Sequence, residues 1–345
     1  MKAGLVGYSP SGKTTLFDAL TGQHKHGAAA RAVNLGVIKV PDPRIDSLSA
    51  IFKPKLTTYA EMHFVDVPGP SKKGSGLDAD ALRALAEVDA FCLVVRGFSG
   101  FDGTPGDPER ELGDFDAELV LHDLGLVEKR LERLSREHKQ GSSEHHELER
   151  LHAHLDPGQP LRRMRWTEAE ENELAHFSFL SRRPMLVVVN VPEEQAAAAP
   201  PAAVLTASKE RGCEVLSLCA TIEAEIADLP PSDQPEFLAS LGLAEPVRAR
   251  FIRAAYHLLD LVSFFTVGED EVRAWPIRRG DRAPRAAGRI HSDLERGFIR
   301  AEVMHYQDFM AAGSEAKARH DGKLRLEGKE YVVQDGDIMN IRFAV

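Results

Sequence analysis

The sequence predicts an α/β fold in which a doubly wound, mainly parallel sheet carries an inserted helical hairpin and is followed by a small α+β module. Three observations predict it. Short, near-continuous apolar runs alternate with helical segments, as is typical of parallel strands buried on both faces. A heptad-like apolar stripe interrupts this alternation, and short β-rich runs follow after about residue 262.

The predicted parallel sheet is built from apolar runs that each fit one strand. We place these strands at residues 3–6, in the run that ends at Asp66, and at residues 89–95, 184–190 and 212–220. Helical segments separate them, beginning with one at residues 14–21. Strands that alternate with helices predict the α/β class and a doubly wound sheet.

About 85 residues separate the third and fourth of these strands, roughly the length of a separate structural unit. Apolar residues recur in steps of four and three along a charged segment, at Val120, Leu124, Val127, Leu131 and Leu134. The string "QGSS" at residues 140–143 breaks the stripe, which resumes at Leu148, Leu151 and Leu155. This spacing predicts an antiparallel helical hairpin. The string "TEAE" at residues 167–170 has the spacing of a capping box and opens another helix.

The C-terminal residues change in character. Runs such as "EVRAWPI" and "EYVVQDGDIMNIRF" are short and rich in strand-forming residues, with one helix-like piece near residues 286–295. Arginines cluster in this region, at Arg278, Arg279, Arg282, Arg285 and Arg289. Two interpretations of the cluster stay open: a solvated face, or a contact with RNA or the ribosome.

Composition limits the classes of function. The formal net charge of −10 over 345 residues excludes a protein that is basic as a whole, so nucleic-acid contact would need a local patch. The 3 cysteines lack metal-ligand spacing and fit reduced thiols, which predicts a cytoplasmic protein. The apolar run in the first ten residues is too short for a signal peptide, and no run is long enough for a membrane span.

The string "GYSPSGKTT" at residues 7–15 predicts a phosphate-binding loop between a strand and a helix. Such loops surround phosphates with backbone N–H groups at a helix N-terminus, which predicts that Ser11, Gly12, Lys13, Thr14 and Thr15 bind the nucleotide. Lys13 would neutralise phosphate charge, and the Thr14 hydroxyl would ligate Mg²⁺. The fourth residue of the loop is Pro10, which has no N–H to offer.

Two further strand ends predict the rest of the site. Asp66 and Gly69 form an Asp-x-x-Gly string in which Asp66 would hold Mg²⁺ through water and Gly69 would face the γ-phosphate. The string "NVPE" places Asn190, Val191 and Glu193 where nucleotide-binding proteins of this kind contact the base. A second turn, at Cys219 and Ala220, would complete the base pocket.

The chain closely resembles the YchF subfamily of the Obg-like P-loop proteins. The resemblance covers essentially the whole chain and rests on "GVIKVPDPRIDSL" at residues 36–48, on the Asn-x-x-Glu string, and on the tail that contains "GFIRAEV" and "GKLRLEGKEYVVQDGD". It implies a preference for ATP, slow ATPase activity, association with ribosomes, and a C-terminal β-grasp module of the TGS type.

This resemblance and the residue patterns together predict three domains. The nucleotide-binding domain would comprise residues 1–115 and 182–261, with the hairpin at 116–181 and the TGS-like domain at 262–345.

The residues of the predicted base pocket indicate which nucleotide is bound. Where GTP-binding relatives have Lys and Asp, this chain has Val191 and Glu193, which fits adenine better than guanine. ATP and ADP are therefore the predicted nucleotides, and the hairpin and TGS-like domain the predicted ribosome or RNA contacts.

Several residues depart from the family pattern at positions that serve hydrolysis. Pro10 replaces an Asn whose N–H would face the oxygen between the β- and γ-phosphates, where charge develops. Ala30 stands where the family has a Thr that ligates Mg²⁺. Pro70 occupies the position where classical GTPases carry a water-orienting Gln, and it fits the hydrophobic residue that the family has there. The loop at residues 97–108 contains no His, although the family's alternative catalytic histidine lies there.

These departures predict a regulatory ATP-binding protein with slow or absent hydrolysis. Two alternatives stay open: an active ATPase that hydrolyses ATP to ADP with catalytic groups from a partner, and a non-catalytic module that binds a ribosome, RNA or protein. The residues that match the family pattern would bind phosphate and base, whereas the changed residues are those that would complete the metal shell or position water.

Overall fold

Two sheets organise the chain, and the computed structural model describes residues 2–22, 34–67, 77–100, 102–230 and 232–344. The strands are β1 (Lys2–Val6), β2 (Asn34–Lys39), β3 (Leu56–Thr58), β4 (Glu61–Asp66), β5 (Ala90–Arg96), β6 (Met185–Asn190), β7 (Glu214–Leu218), β8 (Leu261–Thr266), β9 (Glu271–Arg278), β10 (Phe298–His305), β11 (Arg325–Glu327) and β12 (Asp337–Phe343).

The helices alternate with these strands in the first part of the chain and cluster between strands in the last. They are α1 (Lys13–Thr21), α2 (Pro43–Phe52), α3 (Ala79–Ala86), α4 (Pro108–Arg136), α5 (Ser143–Leu155), α6 (Glu168–Glu173), α7 (Ala202–Glu210), α8 (Ala220–Asp228), α9 (Gln234–Ser240), α10 (Val247–Leu258), α11 (Ala283–Ile290), α12 (Ser292–Arg296), α13 (Tyr306–Ala312) and α14 (Glu315–His320). Among the described helices, none combines the length and apolar character needed to cross a bilayer.

The first sheet has the strand order β2-β4-β1-β5-β6-β7. The strands β4, β1, β5, β6 and β7 pair in parallel, as the apolar runs predict. Every residue of β5 and β6 is buried, because helices cover both faces of a doubly wound sheet. The carboxyl ends of these parallel strands therefore lie at one edge, where such folds bind ligands.

The inserted hairpin is confirmed, but its first helix starts inside the α/β body. The helix α4 begins at Pro108, capped by Asp107, and continues unbroken to Arg136. Its first turns bury Leu112, Phe115 and Leu119 in the core of the sheet. Its later turns bury Val120, Val127 and Leu134 against three leucines of α5, which are Leu148, Leu151 and Leu155. One continuous helix thus contributes residues to two hydrophobic cores.

Buried polar contacts fix the base of the hairpin to the α/β body. Arg162 and Asp116 form an ion pair in which both side chains are nearly inaccessible to solvent. Asp123 is fully buried and accepts hydrogen bonds from the Leu180 N–H, the Ser181 N–H and the Ser181 hydroxyl. The predicted capping box is present at the start of α6, between Thr167 and Glu170.

The second sheet has the strand order β11-β10-β12-β8-β9-β3. The strands β8 and β9 form an antiparallel hairpin, β12 lies parallel to β8, and β10 pairs antiparallel with β12. The helix α11 packs Ala283, Ala286 and Ala287 into the core beneath the sheet. This arrangement of a sheet around one helix is the TGS-like β-grasp that the sequence predicts.

The prediction of a single helix near residues 286–295 is wrong. Extended backbone at His291 divides the region into α11 and α12, and the His291 ring accepts a hydrogen bond from the Asp293 N–H at the start of α12. The helices α13 and α14 were also not predicted, because they are short and lack a long amphipathic repeat.

The chain divides into two compact units. The described residues of Met1–Gly36 and His63–Phe251 form one, and Val37–Met62 with Ile252–Val345 form the other. The segment 37–62, which the sequence-based division assigns to the nucleotide-binding domain, is grouped with the C-terminal unit. Contacts between distant parts of the chain account for this grouping, since β3 pairs in parallel with β9 and Phe52 stacks on Phe309. The three-domain division itself stays a prediction.

Candidate functional site

The predicted phosphate loop lies between β1 and α1, as the motif requires. Gly12 precedes α1 with a φ of 81°, in the left-handed region that favours glycine. A Cβ atom at Gly12 would overlap the Asn190 amide nitrogen, and one at Gly7 would overlap the Val94 carbonyl oxygen. Both glycines are therefore required by close packing of the loop against neighbouring strand ends.

Lys13 and Asp66 meet beside the start of α1. Their side chains form an ion pair, and only 13% and 11% of them is exposed. The first residue of α1 thus contacts the last residue of β4, although the two are far apart in the chain. The structure brings together the predicted phosphate-binding cation and the predicted metal-binding carboxylate, and Thr14, the next residue of the same helix turn, is exposed.

The side-chain oxygens beside the start of α1 fit a magnesium ion whose other ligands would be phosphate oxygens and water. Mg²⁺ prefers carboxylate and hydroxyl oxygens, usually from one or two protein groups, and keeps several waters. Asp66 and Thr14 supply such oxygens. Within the described ranges, no cluster of three or more His, Cys, Asp or Glu side chains forms a separate metal site.

Asn190 links the phosphate loop to the neighbouring turn. Its amide nitrogen donates to the Ser11 carbonyl oxygen over 2.9 Å, and its amide oxygen accepts from the Ala220 N–H over 3.0 Å. The residue is only 5% exposed. The predicted base-contacting residue is therefore also a brace between two loops, a role that its position in the string "NVPE" did not indicate.

The other predicted base-pocket residues surround this brace. Glu193 is exposed at the start of a short turn, Glu193–Gln195, while Cys219 is buried before α8. Burial raises the pKa of the Cys219 thiol, and the negative charge of nearby Glu193 raises it further. The Val191 N–H already donates to the Leu218 carbonyl oxygen, so this group is not available to a base.

The surroundings of Ser11 and Tyr8 were not predicted by the motif. Ser11 is 2% exposed, and its hydroxyl has no hydrogen-bond partner among the described residues. The Tyr8 hydroxyl donates to a Glu118 carboxylate oxygen over 3.3 Å. Burial raises the pKa of Tyr8, and the charge of Glu118 raises it further. The phosphate loop thus contacts α4, the helix that continues into the hairpin.

The loop that follows β5 is held by an internal ion pair. Arg96 is buried, its backbone N–H donates to a Glu111 carboxylate oxygen over 2.8 Å, and its guanidinium faces the same carboxylate.

Three residues with predicted roles lie outside the described residues. They are Ala30, Gly69 and Pro70, which the sequence connects with metal binding, the γ-phosphate and water, respectively. Thr15 is described and lies exposed on α1.

Three features define the class of the protein. They are the glycine-rich loop before α1, the Lys13–Asp66 ion pair, and Asn190, which links that loop to the turn before α8. Together they make it a P-loop nucleotide-binding protein. Family models agree. One described as a 50S ribosome-binding GTPase (MMR_HSR1) matches residues 2–123, and one named YchF-GTPase_C, described as a protein of unknown function, matches residues 261–344.

Relatives of known name match over the full length. The ribosome-binding ATPase YchF of Bacillus subtilis is 39% identical, over 100% of both chains. That of Escherichia coli O157:H7 is 38% identical over 100% of this chain and 99% of its own. The solved structure of the Schizosaccharomyces pombe YchF GTPase has a TM-score of 0.87 and 30% identity, covering 99% of this chain and 97% of that one. The chain belongs to the YchF family.

Proposed function

We propose that this protein binds ATP with Mg²⁺, associates with ribosomes in the cytoplasm, and hydrolyses ATP slowly or not at all. The Lys13–Asp66 ion pair is the observation that carries the proposal. It places a cation and a carboxylate, both largely shielded from solvent, at the N-terminus of α1. A triphosphate and its metal would replace each partner of the pair with a charge of the appropriate sign.

In the nucleotide complex the two side chains would separate. Lys13 would contact phosphate oxygens, together with the backbone N–H groups at the start of α1, while Asp66 would hold metal-bound water and Thr14 would ligate the metal. The Mg²⁺ ion would neutralise phosphate charge. The ion pair in the free protein keeps both groups compensated while they are buried.

The base would bind beside Asn190. Glu193 replaces the shorter Asp that reads guanine in related GTPases, and Val191 replaces the Lys whose stem covers the ring. Bacterial relatives are named ATPases, whereas the fission yeast structure is titled a GTPase. The residue types in this chain support adenine, with the Cys219 and Ala220 turn as the other wall of the pocket.

Two groups that would speed hydrolysis are missing from the phosphate loop and from the loop at residues 97–108, and this supports slow hydrolysis. Pro10 offers no N–H at the place where charge develops during cleavage, and removal of one such donor costs about 10²–10³ in rate in other enzymes. The loop at residues 97–108 has no histidine. Hydrolysis stimulated by partner-supplied groups is the alternative that ribosome-dependent kinetics would reveal.

Ribosome contact would involve the TGS-like unit and the hairpin. Arg278, Arg279, Arg282, Arg285 and Arg289 are all exposed. Nearby carboxylates pair with several of them, as Asp260 does with Arg279 and Asp281 with Arg285. Such exposed pairs are weak and exchange readily for phosphate groups.

Calorimetric titration of the full chain with ATP, ADP and GTP, each with and without Mg²⁺, tests the nucleotide. We expect ATP and ADP to bind more tightly than GTP, and tighter GTP binding would refute the adenine assignment. Lys13→Ala should weaken ATP binding, while Lys209→Ala, an exposed lysine on α7, should not. Phosphate release measured with and without ribosomes then separates slow intrinsic hydrolysis from activation by a partner.

A further inference from the structure

The outer edge of β7 faces a cavity of about 440 Å³. Among the described strands, this one is the last in its sheet and pairs with β6 alone. The Leu218 carbonyl oxygen points into the sheet, where it accepts from the Val191 N–H. Because backbone direction alternates along a strand, the N–H and C=O groups of Val215 and Ser217 point outward, and both residues line the cavity.

These outward groups lack partners in the part of the chain that the structure describes. No backbone hydrogen bond outside the sheet involves Val215 or Ser217. The Ser217 side chain is a further unpaired polar group, since the residue is 6% exposed and its hydroxyl has no hydrogen-bond partner among the described residues. Buried polar groups in folded proteins are almost always paired, so the buried Ser217 hydroxyl and the outward backbone groups beside it are donors and acceptors that a bound molecule could satisfy.

The other walls of the cavity are small, and among the described residues they carry two charged side chains, Arg250 and Glu245. One wall is the loop of alanines after the Glu193–Gln195 turn, and another is the loop at residues 242–245 before α10. Arg250 lines the cavity, is exposed, and makes no ion pair or hydrogen bond with any described residue. Glu245 lines the same cavity but already has an interaction of its own, so Arg250 is the charge left for a ligand and favours a carboxylate at that end.

We propose that the edge of β7 binds an extended peptide as an additional strand, with small side chains against the alanines and an acidic residue opposite Arg250. The unpaired groups belong to residues two apart, a repeat of roughly 6.6 Å along a strand, which matches the backbone of another strand better than a compact metabolite. The edge strand carries no Lys or Pro that would block such pairing.

Amide hydrogen exchange, followed by NMR on the full chain, tests the geometry. In the free protein, the Val215 and Ser217 amides should exchange at least about tenfold faster than those of Leu216 and Leu218, whose N–H groups face β6. Equal protection of all four amides would overturn the proposal, because it would mean that the edge is already paired.

Selection from a random library of eight-residue peptides against the full chain tests the ligand. Selected peptides should carry an acidic residue, slow exchange at Val215 and Ser217, and bind Arg250→Glu about tenfold more weakly. Ser217→Pro, which removes an outward N–H, should weaken them similarly, and Arg165→Glu, at an exposed arginine outside the cavity, should not. Peptides that bind all variants equally, or no peptide that alters exchange at the edge, would overturn the proposal.

Discussion

Arg44 and Asp335, 291 residues apart in the chain, form an ion pair with two hydrogen bonds, of 2.9 and 3.2 Å. The same guanidinium bonds to Asp42 and lies 5.1 Å from the centre of the Phe265 ring. Arg44 belongs to the string "GVIKVPDPRIDSL" and Asp335 to "QDGD", two of the strings that carry the family resemblance. Their contact adds to the β3–β9 pairing and the Phe52–Phe309 stack that group residues 37–62 with the C-terminal unit.

Replacement of Arg44 by Ala should destabilise the C-terminal unit by about 1–2 kcal/mol. Hydrogen bonds between charged groups are stronger than neutral ones, especially when two form at once. Because both side chains are partly exposed, solvent screening lowers the contribution of this contact to the free energy of unfolding. Urea unfolding measures the loss. Arg83→Ala, which removes an exposed pair with Asp80, is the control and should change stability by less than about 0.5 kcal/mol. An equal effect of both variants would contradict the bridging role.

The pH dependence of stability should change in Asp335→Asn. Burial alone would raise the pKa of Asp335, but hydrogen bonds from Arg44 and from the Ser263 N–H outweigh it and hold the pKa below its usual value of 3.8. A lowered pKa in the folded state stabilises the fold above the unfolded value, and the stabilisation is lost as pH falls through the folded value. The stability difference between parent and variant should therefore be largest above about pH 4 and shrink below it. A difference that grows in acid would reverse the assigned sign.

Gly12→Ala should abolish tight ATP binding and destabilise the first unit. The substitution adds a Cβ that overlaps the Asn190 amide, in addition to the roughly 1–2 kcal/mol cost of a left-handed residue. Gly22→Ala is the matched control, since Gly22 has a φ of 65° and open space around it. Calorimetry and thermal unfolding should show the backbone cost in both variants and the binding loss only at Gly12. Equal losses would mean that the Asn190 contact is unimportant.

Arg162→Met should destabilise the base of the hairpin by about 2–4 kcal/mol. Removal of one partner from a buried ion pair leaves an uncompensated charge, here on Asp116, which Arg211 at 3.7 Å only partly offsets. Chemical denaturation measures the effect, and Arg163→Met, on an exposed neighbour, is the control. If the Arg162 variant were about as stable as the parent, water or Arg211 would have to compensate the charge of Asp116, and the prediction would be wrong.

Pro10→Asn combined with Ala30→Thr should raise the single-turnover rate of ATP hydrolysis by at least about tenfold. The change restores an N–H near the developing charge and a hydroxyl for the metal shell. Pro10→Ala with Ala30→Thr distinguishes the N–H from the Asn side chain. An unchanged rate at saturating ATP and Mg²⁺ would argue that these departures do not limit hydrolysis.

Much of this protein follows from its sequence alone. Buried parallel strands read as apolar runs, the phosphate loop depends on glycines at set positions, and the hairpin repeats leucine and valine in steps of three and four, so each is recognisable from neighbouring residues. Local spacing therefore predicted the parallel sheet, the hairpin, and Lys13, Asp66 and Asn190 as site residues.

Tertiary structure decided what depends on residues far apart in the chain. No local pattern indicates that Asn190 braces Ser11 and Ala220, that Tyr8 contacts Glu118, or that Arg44 binds Asp335 and helps to group residues 37–62 with the C-terminal unit. The outward groups of Val215 and Ser217 likewise become unpaired only because β7 is the last described strand of its sheet. Such contacts depend on which chain segments meet in space, and that is settled by packing of the whole fold.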